Sequence, residues 1–296
     1  MRHAILGAGG VGGVIGASLA RCGEDVTLVV RPDKLAAHPR QIQLEGALGD
    51  WSGEVEWAAT APPADVLWLT VKGTQLESAL DLITDPASVG AIVPLLNGID
   101  HLKLLRSKYG VERVIPATIA GEMERIGTGH FVHRSPFLIL NMAAQGRELL
   151  GPLCERLRPI GFTCNFIGDE ATLMWGKLVF LGPFALTTSA FDRTIGDVLA
   201  DADTMRQLEG CVRETCAAAL AEGAKIDTEN ILRLMKGAPP GMRSSMQKDI
   251  ANGRPPELDA IGGTIVRAVK RHGLKASMTE DLMMQIERRL ARPVNF

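Results

Sequence analysis

The sequence has little of what marks several large classes of protein. Among its 296 residues only 4% are aromatic, and the formal net charge is −2. No basic field or aromatic surface therefore suggests a nucleic acid or an anionic membrane as a partner. After the N-terminal stretch, no run is long and apolar enough to cross a bilayer. We expect neither a nucleic-acid partner nor membrane association.

Cysteine is also scarce and has no pairing pattern. The five cysteines are odd in number, lie far apart and show no C-x-x-C spacing. This usage favours reduced thiols in the cytoplasm over a disulfide framework or a zinc site. His130 and His133 have no acidic or thiol ligand set near them, so we interpret them as strand residues and expect no metal.

The start of the chain carries the first positive signal. An apolar run opens into G-x-G-x-x-G, formed by Gly7, Gly9 and Gly12 with Gly10 inside it, and a helical pattern follows. In a dinucleotide-binding turn the first glycine allows the sharp turn, the second allows close approach of a pyrophosphate, and the third allows close packing of helix on strand. The phosphates would bind at the N-terminus of the helix.

A membrane helix or a signal peptide is the alternative for this uncharged stretch, which has small residues at four-residue spacing. The stretch is short, rich in glycine and bounded by Arg2 and Arg21, which favours the dinucleotide turn.

Arg31 indicates which dinucleotide is bound. It ends the second predicted strand, residues 26–30, where an NAD site usually has an acidic residue for the ribose 2′-hydroxyl. A cation there, with Lys34 close behind, favours the 2′-phosphate of NADP. A solvated arginine at the sheet edge is the alternative, and Asp33 lies nearby.

Further predicted strands, and a change from strand to helical periodicity near residue 168, indicate the fold class. Apolar strands at 64–71, 91–96 and 114–120 and hairpin patterns at 41–60 and 121–141, the second of which we expect to close the sheet, indicate a mostly parallel, Rossmann-type α/β domain over 1–167. An all-helical domain follows over 168–296. Its predicted helices cover residues 170–189, 194–222, 228–236, 258–272 and 279–291.

Polar residues at strand ends and in apolar helices are the candidate site residues. Lys72, Gln75 and Asn97 follow predicted strands, where ligands bind in such sheets, although Asn97 before a glycine could equally be a turn residue. Lys177 is isolated on an apolar helix, where desolvation would make it a better general acid at working pH. The alternative is a lysine that extends its ammonium into water.

Two further polar segments lie later in the helical half. One contains Ser244 and Ser245, and the other begins a helix at Glu257 with acidic residues in its first turn. Helix capping is the alternative explanation for the acidic segment.

Taken together, these segments resemble the ketopantoate reductase family (2-dehydropantoate 2-reductases) over nearly the whole chain. That family has a helical C-terminal domain like that of 6-phosphogluconate dehydrogenase. The matching segments, in order, are Gly7–Gly12, Arg31, Val71-Lys72-Gly73-Thr74-Gln75, Asn97-Gly98-Ile99, Trp175-x-Lys177-Leu178, Ser244-Ser245-Met246 with Asp249, and Glu257-Leu258-Asp259 with Gly262.

The resemblance implies a role for each of these residues. Lys177 matches the lysine that protonates the alkoxide as hydride from NADPH reaches the C2 ketone. Glu257 matches the acid that orients that lysine and the substrate. Ser245 matches a serine that holds the substrate carboxylate. Asn97 matches the asparagine near nicotinamide and substrate.

Lys72 and Gln75 match the loop near the cofactor. The resemblance thus implies a cytoplasmic, NADP-dependent oxidoreductase of pantothenate biosynthesis that reduces 2-dehydropantoate to pantoate.

One departure bears on the substrate. Relatives with the pattern K-L-x-x-N-x-x-x-N have two asparagines after the lysine, where this chain has Leu181 and Ala185, with Pro183 between them. A more apolar ketone or 2-oxo acid is therefore an alternative substrate. A non-catalytic NADP-binding regulatory protein is a second alternative. The apolar faces of the helical half also suggest a homodimer.

Overall fold

A computed structural model describes residues 1–47 and 49–291 of the chain. Its contacts divide the chain into two compact units, of which the first comprises Met1–Leu96 and His101–Leu173. The second comprises Asn97–Asp100 and the chain from Met174 onward. The short segment 97–100 thus leaves the first unit and belongs to the second. The last five residues of the predicted helical domain, 292–296, lie outside the described residues.

The described part of the first unit is built on strands and α-helices. Its strands are β1 (Arg2–Leu6), β2 (Asp25–Val29), β3 (Gln41–Gly46), β4 (Trp51–Glu54), β5 (Glu56–Ala58), β6 (Ala64–Leu69), β7 (Val89–Pro94), β8 (Ala117–Ala120), β9 (Met123–Gly127), β10 (His130–His133), β11 (Leu138–Ala143) and β12 (Phe162–Ile167). Its helices are α1 (Gly10–Arg21), α2 (Leu76–Leu80), α3 (His101–Tyr109) and α4 (Arg147–Leu157).

A five-stranded parallel sheet forms the centre of this unit, in the order β5-β2-β1-β6-β7. Its strands are apolar because both faces are covered, and Ile5, Leu28, Leu67 and Ile92 have no exposed surface. The carboxyl ends of β1 and β6 are neighbours, since Leu6 pairs with Leu69. The Rossmann-type α/β class predicted from the sequence is confirmed.

Two smaller sheets account for the remaining strands. The predicted hairpin over 41–60 is confirmed in the antiparallel pair β3–β4. β9 and β10 also pair antiparallel, but they join β3 and β4 in a separate four-stranded sheet, so the prediction that they close the parallel sheet is wrong. β8 belongs to a three-stranded sheet with β11 and β12.

The predicted third parallel strand over 114–120 is also wrong. Val114 makes only an isolated parallel bridge to Ile92, and the chain then passes to β8 in another sheet. Pro116 lies between the two segments and has no N–H for a sheet hydrogen bond. The apolar run therefore divides at the proline.

The second unit is helical. Its elements are α5 (Glu170–Phe191, which begins in the first unit), α6 (Ile195–Ala200), α7 (Ala202–Ala221), α8 (Thr228–Lys236), α9 (Ser245–Ala251), a π-turn (Asp259–Gly263), α10 (Thr264–Arg271) and α11 (Ser277–Leu290). Val212, Ile265 and Ile286 are fully buried in the core of this unit. Across the described residues, no helix combines the length and apolarity that a membrane span requires.

The predicted single helix over 194–222 is wrong at one point. Asp201 interrupts it, because its side chain accepts hydrogen bonds from the backbone N–H groups of Asp203 and Thr204. This is the geometry of an N-cap, so α6 ends and α7 begins there.

Candidate functional site

The glycine turn has the geometry of a phosphate-binding loop. Gly7 has φ +109°, a left-handed conformation that a side chain would strain. A Cβ on Gly12 would overlap the Gly7 carbonyl oxygen, whereas a Cβ on Gly9 would meet nothing within 4 Å. Helix α1 begins at Gly10 and has no acidic residue in its first turn. Open space thus faces the positive end of a helix, which fits a dinucleotide pyrophosphate.

Other groups of the first unit hold the turn in place. The Thr70 hydroxyl, just beyond β6, donates to the carbonyl oxygen of Gly7 at 2.8 Å. The exposed Arg125 of β9 reaches the Ala8 carbonyl oxygen at 3.5 Å. Neither residue was predicted from the sequence, because each meets the turn only through sheet packing.

Arg31 lies just beyond the carboxyl end of β2, with 71% of its side chain exposed. Its Nε is 3.8 Å from an oxygen of Asp33, and Lys34 Nζ is 3.4 Å from the other. Ion pairs this exposed are weak, so the pairing leaves the guanidinium free to meet an anion. These cations could hold a 2′-phosphate.

Lys72 and Gln75 follow β6, where Lys72 directly precedes the 3₁₀ turn Gly73–Gln75 and Gln75 ends it. Because β6 lies beside β1 in parallel, this turn is at the same sheet edge as the glycine turn. The first unit therefore brings the predicted cofactor residues of two strand ends to one edge.

In the second unit, three predicted residues form one hydrogen-bonded cluster. Lys177 Nζ donates to Asn97 Oδ1 at 2.9 Å, and Asn97 Nδ2 donates to Glu257 Oε2 at 2.9 Å. Glu257 is only 9% exposed. Asn97 thus bridges an ammonium and a carboxylate, which excludes the simpler interpretations of Asn97 as a plain turn residue and of Lys177 as a solvated lysine.

The environment of Lys177 makes its ammonium more acidic than that of an ordinary lysine. Burial disfavours the ammonium and lowers the pKa of Lys177 to about 8, while the negative charge of Glu257 opposes that fall. Met174, one helical turn before Lys177 on α5, is buried and adds apolar surface on the same side of the helix. A lysine with this pKa can act as a general acid near neutral pH.

Backbone packing places Asn97 in the cluster. Gly98 has φ +80°, and a Cβ on it would overlap the Ala260 carbonyl oxygen. Only glycine allows the segment to lie this close to the π-turn that follows Glu257. The sequence signal for this contact was present in the Asn-Gly pair, but a turn explained it equally well.

The two serines at the start of α9 differ. Ser244 is 2% exposed and caps α9, since its Oγ accepts from Gln247 N at 3.1 Å and from Thr188 Oγ1 at 3.0 Å. Ser245, the predicted substrate residue, is exposed. Among the hydrogen bonds of the described residues, none joins Ser245 to the lysine cluster, so its role stays a prediction.

The two positions where this chain lacks the asparagines of its relatives, 181 and 185, differ in exposure. Leu181 lies one helical turn after Lys177 and is half-buried, whereas Ala185 has no exposed surface. α5 continues through Pro183 without a break. Leu181 is therefore the one of the two positions where a side chain can reach a ligand beside Lys177.

The two strand histidines are engaged elsewhere. His130 Nε2 lies 2.7 Å from a carboxylate oxygen of Glu45, and His133 Nε2 lies 3.0 Å from the Ser135 hydroxyl. Burial lowers the pKa of His133. These contacts give both histidines a structural role.

Comparison with known proteins defines the family. A family model described as ketopantoate reductase PanE/ApbA matches residues 3–142, and the model of that family's C-terminal domain matches residues 170–289. The chain belongs to the ketopantoate reductase family. It is an oxidoreductase of that family, and membership together with the glycine turn supports a nicotinamide cofactor.

Individual relatives are distant but similar along their whole length. A 2-dehydropantoate 2-reductase of Mycobacterium tuberculosis is 26% identical, and the match covers 95% of both chains. The structure of a 2-dehydropantoate 2-reductase from Geobacter metallireducens has a TM-score of 0.85 at 24% identity, covering 97% of this chain and 99% of the other. A D-mandelate dehydrogenase bound to NADH and anilino(oxo)acetate also scores 0.85 at 20% identity, covering 98% of both chains. At these identities the two structures establish the fold.

Proposed function

We propose that this chain reduces the ketone of a small 2-oxo acid with NADPH, and that 2-dehydropantoate is the leading substrate. The observation that carries the proposal is the Lys177–Asn97–Glu257 cluster, in which desolvation lowers the pKa of a half-buried lysine to about 8. A lysine with this pKa can donate a proton to the alkoxide that forms when a ketone is reduced.

Each residue of the cluster has its own part in the proposed reaction. The glycine turn would hold the dinucleotide, whose nicotinamide would provide hydride for the ketone carbon, so that negative charge would develop on the ketone oxygen. The Lys177 ammonium stabilises that charge and donates a proton to the oxygen, which completes the alcohol. Lys177 is then neutral and regains a proton from water. Asn97 holds the ammonium in place, and Glu257 keeps enough of it protonated at pH 7.

The choice of NADPH is supported by Arg31 and Lys34 beyond β2. Two exposed cations would attract a 2′-phosphate, whereas the ribose hydroxyl of NADH offers them no negative charge. The test is the ratio of kcat/KM for NADPH to that for NADH with one ketone. Equal values would overturn this part of the proposal.

The choice of substrate depends on Leu181. Named relatives act on 2-dehydropantoate, which supports it as the first candidate. A hydroxyl placed against Leu181 would find no partner there, and an unpaired buried polar group costs about 1–3 kcal/mol. The second candidate is therefore a 2-oxo acid with an apolar substituent.

One substrate panel decides between these candidates. NADPH absorbance would be followed with 2-dehydropantoate, aliphatic 2-oxo acids and an aryl 2-oxo acid. Highest kcat/KM with 2-dehydropantoate supports the first candidate, and highest kcat/KM with an apolar acid supports the second. Tight NADPH binding without turnover of any ketone would instead indicate a regulatory protein. The homodimer through the helical half stays a prediction, and light scattering tests it.

A further inference from the structure

An arginine on α10 holds the segment that carries Asn97. Arg267 Nε and Nη2 donate to Asp100 Oδ2 at 2.9 and 2.6 Å. The Nη1 of the same guanidinium donates to Asp259 Oδ1 at 2.6 Å. Arg267 thus joins two carboxylates 159 positions apart in sequence. We call Arg267, Asp100 and Asp259 the arginine brace.

The brace is supported by a second, buried contact. The Thr264 hydroxyl lies 3.2 Å from Asp100 Oδ2 and 2.8 Å from the Ala260 carbonyl oxygen, and Thr264 is 2% exposed. Gly98 packs directly on the Ala260 carbonyl. The segment 97–100 is therefore fixed at Gly98 and Asp100, which leaves Asn97 little freedom to move.

The other end of the brace lies beside Glu257. Asp259 is two residues beyond Glu257 and begins the π-turn Asp259–Gly263, a backbone form often found at functional sites. Arg267 accordingly connects the backbone that presents Asn97 with the backbone that presents Glu257. These are the two residues that contact each other beside Lys177.

Stability alone does not explain this arrangement. The side chains of Asp100, Arg267 and Asp259 are 46%, 42% and 82% exposed, and ion pairs at such exposure stabilise a fold very little. A planar guanidinium is nevertheless well suited to fix two carboxylates in one geometry. The arginine brace is therefore suited to fix the positions of the segments that carry Asn97 and Glu257.

We propose that Arg267 is a positioning residue, which acts through Asp100 and Asp259 to hold Asn97 against Lys177 and Glu257. As a claim about catalysis the inference rests on the proposed function. As a claim about the geometry around Lys177 it can be tested without any substrate.

The first test measures the Lys177 ammonium directly. The protein is labelled with [ε-13C]lysine, the Lys177 signal is assigned by its loss in Lys177→Met, and its pKa is followed by NMR. In Arg267→Met the released Asn97 is replaced by water, which relieves the burial that lowers this pKa. We expect the pKa of Lys177 to rise above its wild-type value of about 8.

Arg213→Met is the matched control, because it removes an arginine of similar exposure from another ion pair of the same unit, with Glu229. Its Lys177 pKa should equal that of the wild type. An unchanged or lowered pKa in Arg267→Met would overturn the proposal. If Arg267→Met does not fold, Asp100→Asn gives the same comparison, because it removes the charge and keeps the shape.

The second test uses turnover. Displacing a catalytic group by about 1 Å can cost up to about 100-fold, so we expect kcat to fall about tenfold in Arg267→Met while the Kd of NADPH stays unchanged. Since Asp100→Asn breaks the same contact, the double variant should be no slower than Arg267→Met. Additive losses, or an unchanged kcat, would count against the brace. A wild-type protein that reduces no ketone would refute the proposed function alone, because the NMR measurement still decides the brace.

Discussion

Glu257→Gln is the change that most directly tests how the cluster sets the acidity of Lys177. Glutamine keeps an amide oxygen that can accept from Asn97 Nδ2 but removes the negative charge. In the wild type that charge opposes burial, and the balance gives Lys177 a pKa of about 8. Without the charge, burial acts alone and the pKa must fall.

The size of the fall follows from the distances in the cluster. Lys177 and Glu257 each lie 2.9 Å from the Asn97 amide, and a nearby opposite charge shifts a pKa by about 1–3 units. Taking the smallest shift, the pKa of Lys177 falls from about 8 to about 7. The protonated fraction at pH 8 then drops from about one half to about one tenth. Because the general acid must be protonated, activity is lost as pH rises through this pKa.

The assay is the pH profile of kcat/KM, followed by NADPH absorbance between about pH 6 and pH 10. The basic limb of Glu257→Gln should lie about one unit below that of the wild type. Glu229→Gln, which removes an exposed carboxylate paired with Arg213, should leave the limb unmoved. A basic limb that stays in place or moves to higher pH in Glu257→Gln would refute the assignment of that limb to Lys177.

Three further changes test other parts of the molecule. Arg31→Ala should lower the preference for NADPH over NADH about tenfold, the value of one charge-assisted hydrogen bond, and an unchanged ratio of kcat/KM would remove Arg31 from the cofactor site. Leu181→Asn should raise kcat/KM for 2-dehydropantoate relative to an apolar 2-oxo acid about tenfold, and a ratio that does not move would exclude Leu181 from the substrate site. Burial lowers the pKa of His3, which accepts from Trp68, although Glu24 opposes the shift. The neutral form is therefore favoured in the fold, and stability is lost as pH falls below about 6.5. Urea unfolding at pH 7 and pH 5 should show a smaller decline in His3→Gln than in the wild type.

Local patterns were sufficient to predict the glycine turn and the parallel strands β1, β2, β6 and β7. Gly7 and Gly12 occupy turn positions that tolerate no side chain, so the sequence records the constraint directly. Errors arose where one residue overrode a longer pattern. Pro116 divides an apolar run between two sheets, and Asp201 caps a new helix inside a continuous helical period. Each effect depends on one or two local backbone hydrogen bonds, lost at Pro116 and made at Asp201, which the periodicity of the sequence does not show.

The candidate site was predicted as a set of residues but not as an arrangement. Lys177 and Asn97 are separated by 80 positions, and Asn97 and Glu257 by 160, so no local pattern could show that Asn97 bridges the other two. The arginine brace was missed for the same reason. In the sequence, Arg267 and Asp100 cannot be distinguished from other surface charges. Only the tertiary structure brings the two side chains into contact.

The departure at Leu181 bears on the proposed substrate. Leu181 lies one turn from Lys177 on the same side of α5, so it presents an apolar side chain next to the lysine. The same side chain offers no hydrogen bond to a hydroxyl of the substrate. An asparagine there could form hydrogen bonds both to the ammonium of Lys177 and to the hydroxyl of the substrate. Under the proposed function, leucine at this position leaves the proton donor intact while it weakens recognition of a polar substituent. The Lys177–Asn97–Glu257 cluster would then determine the reaction, and the surface one helical turn away would determine the choice of ketone.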